Sequence, residues 1–189
     1  MSKVGTGTLR VALVHHPVLN RHGEEIASVV DEFDVFDGGR LALTYGIPTL
    51  YVVNPVPAQR DKAKRVIAHG QSDTRDPARG RMDALLWCAS LDDAIEDASR
   101  PDAPWVVATS AVAREPATSV AEVRETVRAG RDVLLVIGKA WGLAPEVLQR
   151  CDRQLQPIDA GTGFNHLSVR SAMAILIDRL CAPAGRSGP

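Results

Sequence analysis

Near the end of the chain, "GTGFNHLSVRS" (161–171) sets glycines, an amide, an imidazole, hydroxyls and a guanidinium directly before an apolar run. Two other stretches, "TSAVARE" (109–115) and "GKAWGL" (138–143), also follow short apolar runs. The glycines in 138–143 and 161–171 let a backbone pass close to a ligand, and the groups around them donate and accept hydrogen bonds. Together the residues of 161–171 suggest a ligand or an interface at the helix entrance, and Trp141 between Gly138 and Gly142 could provide an apolar wall. Each residue also has a plainer reading. Trp141 fits a core residue capping a sheet, His166 a structural histidine, and Asn165 or Ser168 the N-cap of a terminal helix. Arg170 fits a cap less well, because a cation in the first turn opposes the helix dipole and calls for an anionic partner.

The elements that must carry these stretches alternate. Apolar β-rich runs at 10–15, 49–54, 83–88, 104–109, 132–138 and 153–158 are separated by helix-like segments near 37–45, 57–69, 90–99, 119–129, 145–150 and 167–181. That alternation predicts an α/β fold, a mostly parallel sheet with helices on both faces. Gly46 and Pro48 end the first helix, Pro57 opens the second and Gly130 closes the fourth. In the last helix Val169, Ala172, Met173, Leu176 and Leu180 share a face that Ile175 and Ile177 widen, so it should be buried on more than one side, against its own sheet or another subunit. In such sheets ligands bind beyond the carboxyl ends of the strands, which is where the three polar stretches fall. No GxxxxGK[ST] is present, and "GTGTLR" (5–10) precedes the first strand, so the sequence offers neither a P-loop nor a dinucleotide fingerprint.

At 189 residues with 45% hydrophobic residues, the chain can bury the core of one domain, expected over 9–182, with frayed tails at 1–8 and 183–189 and an exposed loop at 70–82. No apolar run reaches the length of a membrane span, and the N-terminus lacks a convincing signal peptide, so a soluble cytoplasmic protein without membrane contact is expected. A net charge of -1 argues against a strongly basic nucleic-acid coat, although "QRDKAKR" (59–65) and "RDPARGR" (75–81) are local basic patches. Cys88, Cys151 and Cys181 form no CxxC pair, which suggests buried reduced thiols and neither disulfides nor a metal site.

"LLVIGKAWGLAPEVL" and "FNHLSVRSAMAILIDRL", supported by "FDVFDGGRLALTYGI", "YVVNPVPAQRD" and "ATSA", resemble signature segments of the SPOUT superfamily of trefoil-knotted S-adenosylmethionine-dependent RNA methyltransferases. The chain looks closest to a small stand-alone bacterial group whose domain is also found fused to tRNA guanine-N1-methyltransferase. The resemblance implies a C-terminal trefoil knot, an unusual topology, a structured RNA substrate (tRNA or rRNA), and a homodimer through the C-terminal helix. It implies an S-adenosylmethionine pocket formed by Thr109, Ser110 and Ala111; by Gly138, Ala140, Trp141, Gly142 and Leu143; and by Ile158, Asn165, His166, Leu167, Ser168 and Ser171. Arg40 occupies the position of an arginine given a catalytic role in related ribose methyltransferases, although binding or positioning phosphate suits a guanidinium better than accepting a proton. Asp34, Asp37 and Asp159 are candidate proton acceptors, with Arg40 and Asp34 the expected catalytic pair. The sequence departs from the pattern at Glu32-Phe33-Asp34, where relatives tend to carry Asn-Leu-Asp, and at Gly38-Gly39, which replace bulkier residues. The added Glu32 carboxylate would repel RNA phosphate and leaves open a knotted domain that binds RNA or protein without catalysis.

Overall fold

The computed structural model describes residues 6–71 and 83–181. Most of the expected loop at 70–82, the basic patch at 75–81 and the C-terminal tail lie outside the described residues. Gly7 and Thr8, expected to fray, are held instead: the Gly7 amide donates to Val127 O at 2.7 Å and the Thr8 amide to Asp132 Oδ1 at 2.8 Å.

In chain order the strands are β1 (Leu9–Val14), β2 (Val18–Leu19), β3 (Glu25–Ile26), β4 (Leu50–Val53), β5 (Leu85–Cys88), β6 (Trp105–Ala108), β7 (Ala117–Thr118), β8 (Val133–Gly138) and β9 (Arg153–Leu155). The helices are α1 (Glu32–Tyr45), α2 (Pro57–Gln71), α3 (Leu91–Ala98), α4 (Val120–Arg128), α5 (Pro145–Gln149) and α6 (Val169–Cys181). Seven strands form one sheet in the order β5-β4-β1-β8-β6-β9-β7, and every pairing in it is parallel. The expected α/β class is what forms. β2 and β3 make a small antiparallel hairpin beside it; neither they nor β7 was expected, because two-residue strands carry no periodic signal.

Side-chain alternation along the central strands divides the core in two. Val11 and Leu13 of β1 and Leu135 and Ile137 of β8 face a layer built by α1, α2, α4 and α6, including Val35, Ala42, Ala63, Val123, Met173 and Ile177. Ala12 and Val14 with Leu134 and Val136 face α3 and α5 through Ala94, Ala98, Ala144 and Val147. Both faces of β1 and β8 are covered, which is why these strands read as unbroken apolar runs.

α1 begins five residues before the expected start at 37. Asp31 caps it: its side chain accepts from the Asp34 amide at 2.9 Å while Asp34 Oδ2 accepts from the Asp31 amide at 3.1 Å. The glycines at 38 and 39 weaken the helical pattern, yet Gly38 serves its packing. A Cβ on Gly38 would lie 3.1 Å from Leu50 Cδ1, so the missing side chain lets α1 sit close on β4. α6 is buried against its own chain, with Met173, Leu176 and Ile177 packed under α1, α4 and β8. Among the described residues no helix is long and apolar enough to cross a membrane. All three cysteines are free, and burial pushes the Cys88 thiol up to about 11 and that of Cys151 up to about 12.

Candidate active site

The carboxyl ends of β1, β8, β6 and β9 are neighbours in that order, and the three predicted stretches leave β6, β8 and β9 on that edge. Asn165 ties two of them together by donating from Nδ2 to Ala111 O at 2.7 Å. Gln154 Nε2 adds a bond to Val112 O at 2.7 Å. The 138–143 loop is braced from the other side by the hairpin: Leu19 N donates to Gly142 O at 2.9 Å and Trp141 N to Leu19 O at 3.0 Å. The loop turns back tightly on the strand. A Cβ on Gly138 would lie 2.8 Å from the Leu143 amide nitrogen, and Ala140 and Gly142 have φ of 54° and 109°. A left-handed non-glycine residue beside a glycine in the same region marks a loop whose shape is imposed by its surroundings.

The individual residues fall out as follows. Trp141 is 69% exposed, so it does not cap the core and is available as a wall. Leu143 is buried in the core beneath the loop, which leaves its main chain as the part that can face a ligand. Ile158 packs partly against the other core cluster. Thr109 continues the ladder, its amide donating to Val136 O at 2.9 Å, and Ser110 Oγ accepts from the Val112 amide at 3.0 Å. Ser168 takes the capping role, its Oγ accepting from the Ser171 amide at 3.3 Å and lying 2.9 Å from Ser171 Oγ. Asn165 does not cap. His166 packs edge-on against Phe164, with ring centroids 5.7 Å apart, next to an exposed Leu167.

Arg170 has the anionic partner its position called for. Its Nη1 donates to Asp37 Oδ2 on α1 at 3.1 Å, and its guanidinium lies 4.9 Å from the centroid of the Phe33 ring. Arg40 is exposed on α1, one helical turn beyond Asp37.

Asp34, one of the two expected catalytic residues, is buried behind the crevice. It is 1% exposed, engaged in the capping box, and its Oδ2 accepts from Lys139 Nζ. Burial pushes its carboxyl above the usual range, against the opposing pull of Lys139. Lys139 also donates to Asp31 Oδ2 at 3.0 Å and Val29 O at 2.9 Å, so one side chain from the β8 exit is clamped to the start of α1. His15, fully buried at the exit of β1, lies with Nε2 3.9 Å from Asp34 Oδ2 and Nδ1 3.2 Å from Ser28 Oγ. Burial, with the nearby Lys139 charge, holds its imidazole down to about 3, so it is neutral. Neither His15 Nε2 nor Asp34 Oδ1 has a hydrogen-bond partner. Of the other acidic candidates, Asp159 folds back to accept from the Gly161 amide at 2.7 Å, whereas Asp37 is 40% exposed beside Arg170.

Sequence reasoning missed Lys139, His15 and Asp31 as site-building residues. The spacing of Asp31 and Asp34 ahead of a helix was the available signal, since a short polar side chain followed three residues later by an acid reads as a capping box. Nothing in the sequence pairs Lys139 with residues more than a hundred positions earlier.

The residues present suit S-adenosylmethionine. The exits supply main-chain donors and acceptors on tight loops, the hydroxyls of Ser110, Ser168 and Ser171, and the exposed Trp141. This is a donor set for an adenine, a ribose and an amino-acid tail.

Comparison with known proteins agrees. Residues 8–182 match a family described as SAM-dependent RNA methyltransferase. A protein of Nitratidesulfovibrio vulgaris named tRNA (guanine-N(1)-)-methyltransferase is 41% identical over 180 residues, covering 91% of this chain and 41% of the relative. A protein of the same name from Oleidesulfovibrio alaskensis is 37% identical over 182 residues, covering 93% of this chain and 42% of the relative. The chain thus spans about two fifths of the length of these curated relatives. Among solved structures, that of the SpoU methyltransferase AviRb from Streptomyces viridochromogenes in complex with the cofactor AdoMet aligns with a TM-score of 0.60 at 16% identity, covering 94% of this chain and 58% of that one, a likeness of fold.

Proposed function

Since the chain belongs to the family of SAM-dependent RNA methyltransferases, we propose that it methylates a nucleotide of a structured RNA, tRNA or rRNA, at the crevice above β1, β8 and β6. The observation that carries this reading is the closure of the crevice by the Asn165–Ala111 bond, with α1 and its Arg40 held alongside by Arg170 and Lys139. The bound cofactor supplies a methyl group already activated on sulfonium. The chain therefore has to orient the nucleophile and remove its proton. In this reading Gly138, Trp141, Gly142, Ile158, Leu167 and Ser168 offer main-chain groups to the cofactor, and Arg40 binds or positions RNA phosphate. Of the acidic candidates, Asp37 takes the proton-accepting part in preference to the buried Asp34, because its carboxylate reaches solvent on the helix that carries Arg40. Asp34 and Lys139 fix the geometry from behind.

The same reading includes a knotted C-terminal region, a homodimer and a cytoplasmic location. Insertion of β9 between β6 and β7, followed by the return of α6 to β8, supports a threaded path. Phe164 and Leu167, 70% and 44% exposed at the entrance to α6, support a second copy packing there.

The test is transfer of labelled methyl from S-adenosylmethionine to total RNA from a strain lacking the gene, followed by mass spectrometry of the nucleosides. Incorporation that falls at least tenfold in Arg40→Ala is expected. Binding of S-adenosylhomocysteine without incorporation into any RNA would favour the non-catalytic domain, and failure to bind it at millimolar concentration would overturn the reading.

A further inference from the structure

Three residues of α1, Phe33, Asp37 and Arg40, follow one another at helical spacing and so share a face. Phe33 is 60% exposed, an unusual state for a phenylalanine in an ordered helix next to a binding crevice. Its ring nevertheless has a partner. The Arg170 guanidinium lies 4.9 Å from its centroid, and Asp37 holds that guanidinium by the 3.1 Å bond from Nη1. Arg170 itself belongs to the first turn of α6, two residues after Ser168. The arrangement thus stands between the loop assigned to the cofactor and the helix that carries Arg40.

We propose that Phe33 and Arg170 form a stacking shelf for an unstacked nucleobase of the RNA, the target nucleotide or its neighbour. This inference rests on the methyltransferase reading and names a substrate subsite within it. An enzyme that modifies a base or its ribose inside folded RNA must draw the nucleotide out of its stack, and the exposed base then needs a π-face to rest on. An aromatic residue with more than half its surface in water supplies that face. A guanidinium plane on the ring polarises it and adds a positive charge close to the adjoining phosphates. Asp37 keeps the guanidinium in place, so the shelf is preorganised before RNA arrives.

The test compares Phe33→Ala, Phe33→Leu and Phe33→Trp in the full chain. The probe is unmodified tRNA and rRNA from a deletion strain, and the readouts are KM and kcat for RNA, fluorescence-detected RNA affinity, and calorimetric affinity for S-adenosylhomocysteine. Loss of one base stack predicts a tenfold to hundredfold fall in kcat/KM and in RNA affinity for both Phe33→Ala and Phe33→Leu, with rescue to within about threefold by Phe33→Trp. Cofactor affinity should change less than twofold. Arg170→Lys, which keeps the charge and removes the plane, should fall between. If Phe33→Leu matches the wild type, the side chain acts as a plain apolar contact and the shelf is overturned. It is equally overturned if sedimentation shows Phe33→Ala converting a dimer to monomers, which would make this face an interface between copies. Wild-type RNA binding that depends on Phe33 without any methyl transfer would uphold the shelf while sinking the catalytic reading. No RNA binding at all would sink both.

Discussion

Lys139 and Asp34 meet across the junction between the end of β8 and the start of α1, and the pair joins a central strand to the helix that carries Arg40. Asp34 is 1% exposed and Lys139 18%, so the pair is shielded from water on the carboxylate side. Removing one member of a buried pair strands the other charge, which costs more than the pair contributes.

Lys139→Met should therefore destabilise the protein by about 3 kcal/mol. Lys139→Met with Asp34→Asn should recover a large part of that loss, because the buried carboxylate is gone and the Asp31 carboxylate that also loses Lys139 is 43% exposed to water. Chemical denaturation of the two variants and each single change forms the cycle. A single Lys139→Met variant as stable as the wild type would show that the clamp is dispensable.

His15 sets an acid limit on stability. In the unfolded chain its pKa is near 6.5, whereas in the fold it is about 3 and the ring stays neutral. The unfolded state thus takes up the proton first. Stability present above 6.5 is lost as pH falls from there toward 3, reaching about 1.4 kcal/mol at pH 5.5. Asp34, whose carboxyl is raised, begins to take up its own proton above the ordinary carboxylate range and offsets part of the loss at the acid end. Urea titrations at pH 7 and 5.5 should show this drop in the wild type and a flatter response in His15→Leu.

Gly38 tests the packing of α1 on β4. A Cβ there meets the tip of Leu50 at 3.1 Å, a flexible group that can shift, and alanine has the better helix propensity by about 1 kcal/mol. Gly38→Ala should accordingly stay within about 1 kcal/mol of the wild type, and Gly38→Val should lose about 1–3 kcal/mol through overpacking. Thermal unfolding separates the two outcomes.

Gly138 allows no such relief, because its added Cβ would press on the main chain of Leu143 at 2.8 Å. Gly138→Ala should displace the 138–143 loop and weaken S-adenosylhomocysteine binding by at least about tenfold, equivalent to about 1.4 kcal/mol. Calorimetry that finds unchanged affinity would remove this loop from the pocket.

Asn165→Ala should loosen the crevice without unfolding the protein. The bond to Ala111 O is at the surface, so its loss should cost about 1 kcal/mol of stability or less. Cofactor affinity should drop by severalfold more than that of a control change at the exposed Thr162.

The sequence by itself determined the layers of this protein. Unbroken apolar runs such as "DVLLVIG" announced central parallel strands, and Gly46, Pro57 and Gly130 marked helix ends, because these signals depend on local backbone preferences and on burial of both faces of a strand. It also placed the three polar loops at strand exits, since an α/β chain has little choice about where its ligand goes. Arg170 was legible as a cation in need of an anion, but not the identity of Asp37. What only the tertiary structure decided is which far-apart residues meet. It buried Asp34 against Lys139 and His15, joined Arg170 to Asp37 and Phe33, and set the two-residue strand β2 against the 138–143 loop. These pairings join chain segments separated by up to 133 positions in the case of Arg170 and Asp37. They rest on close approach in the fold and, at Asp34 and His15, on exclusion of water, neither of which leaves a periodic trace in the order of residues.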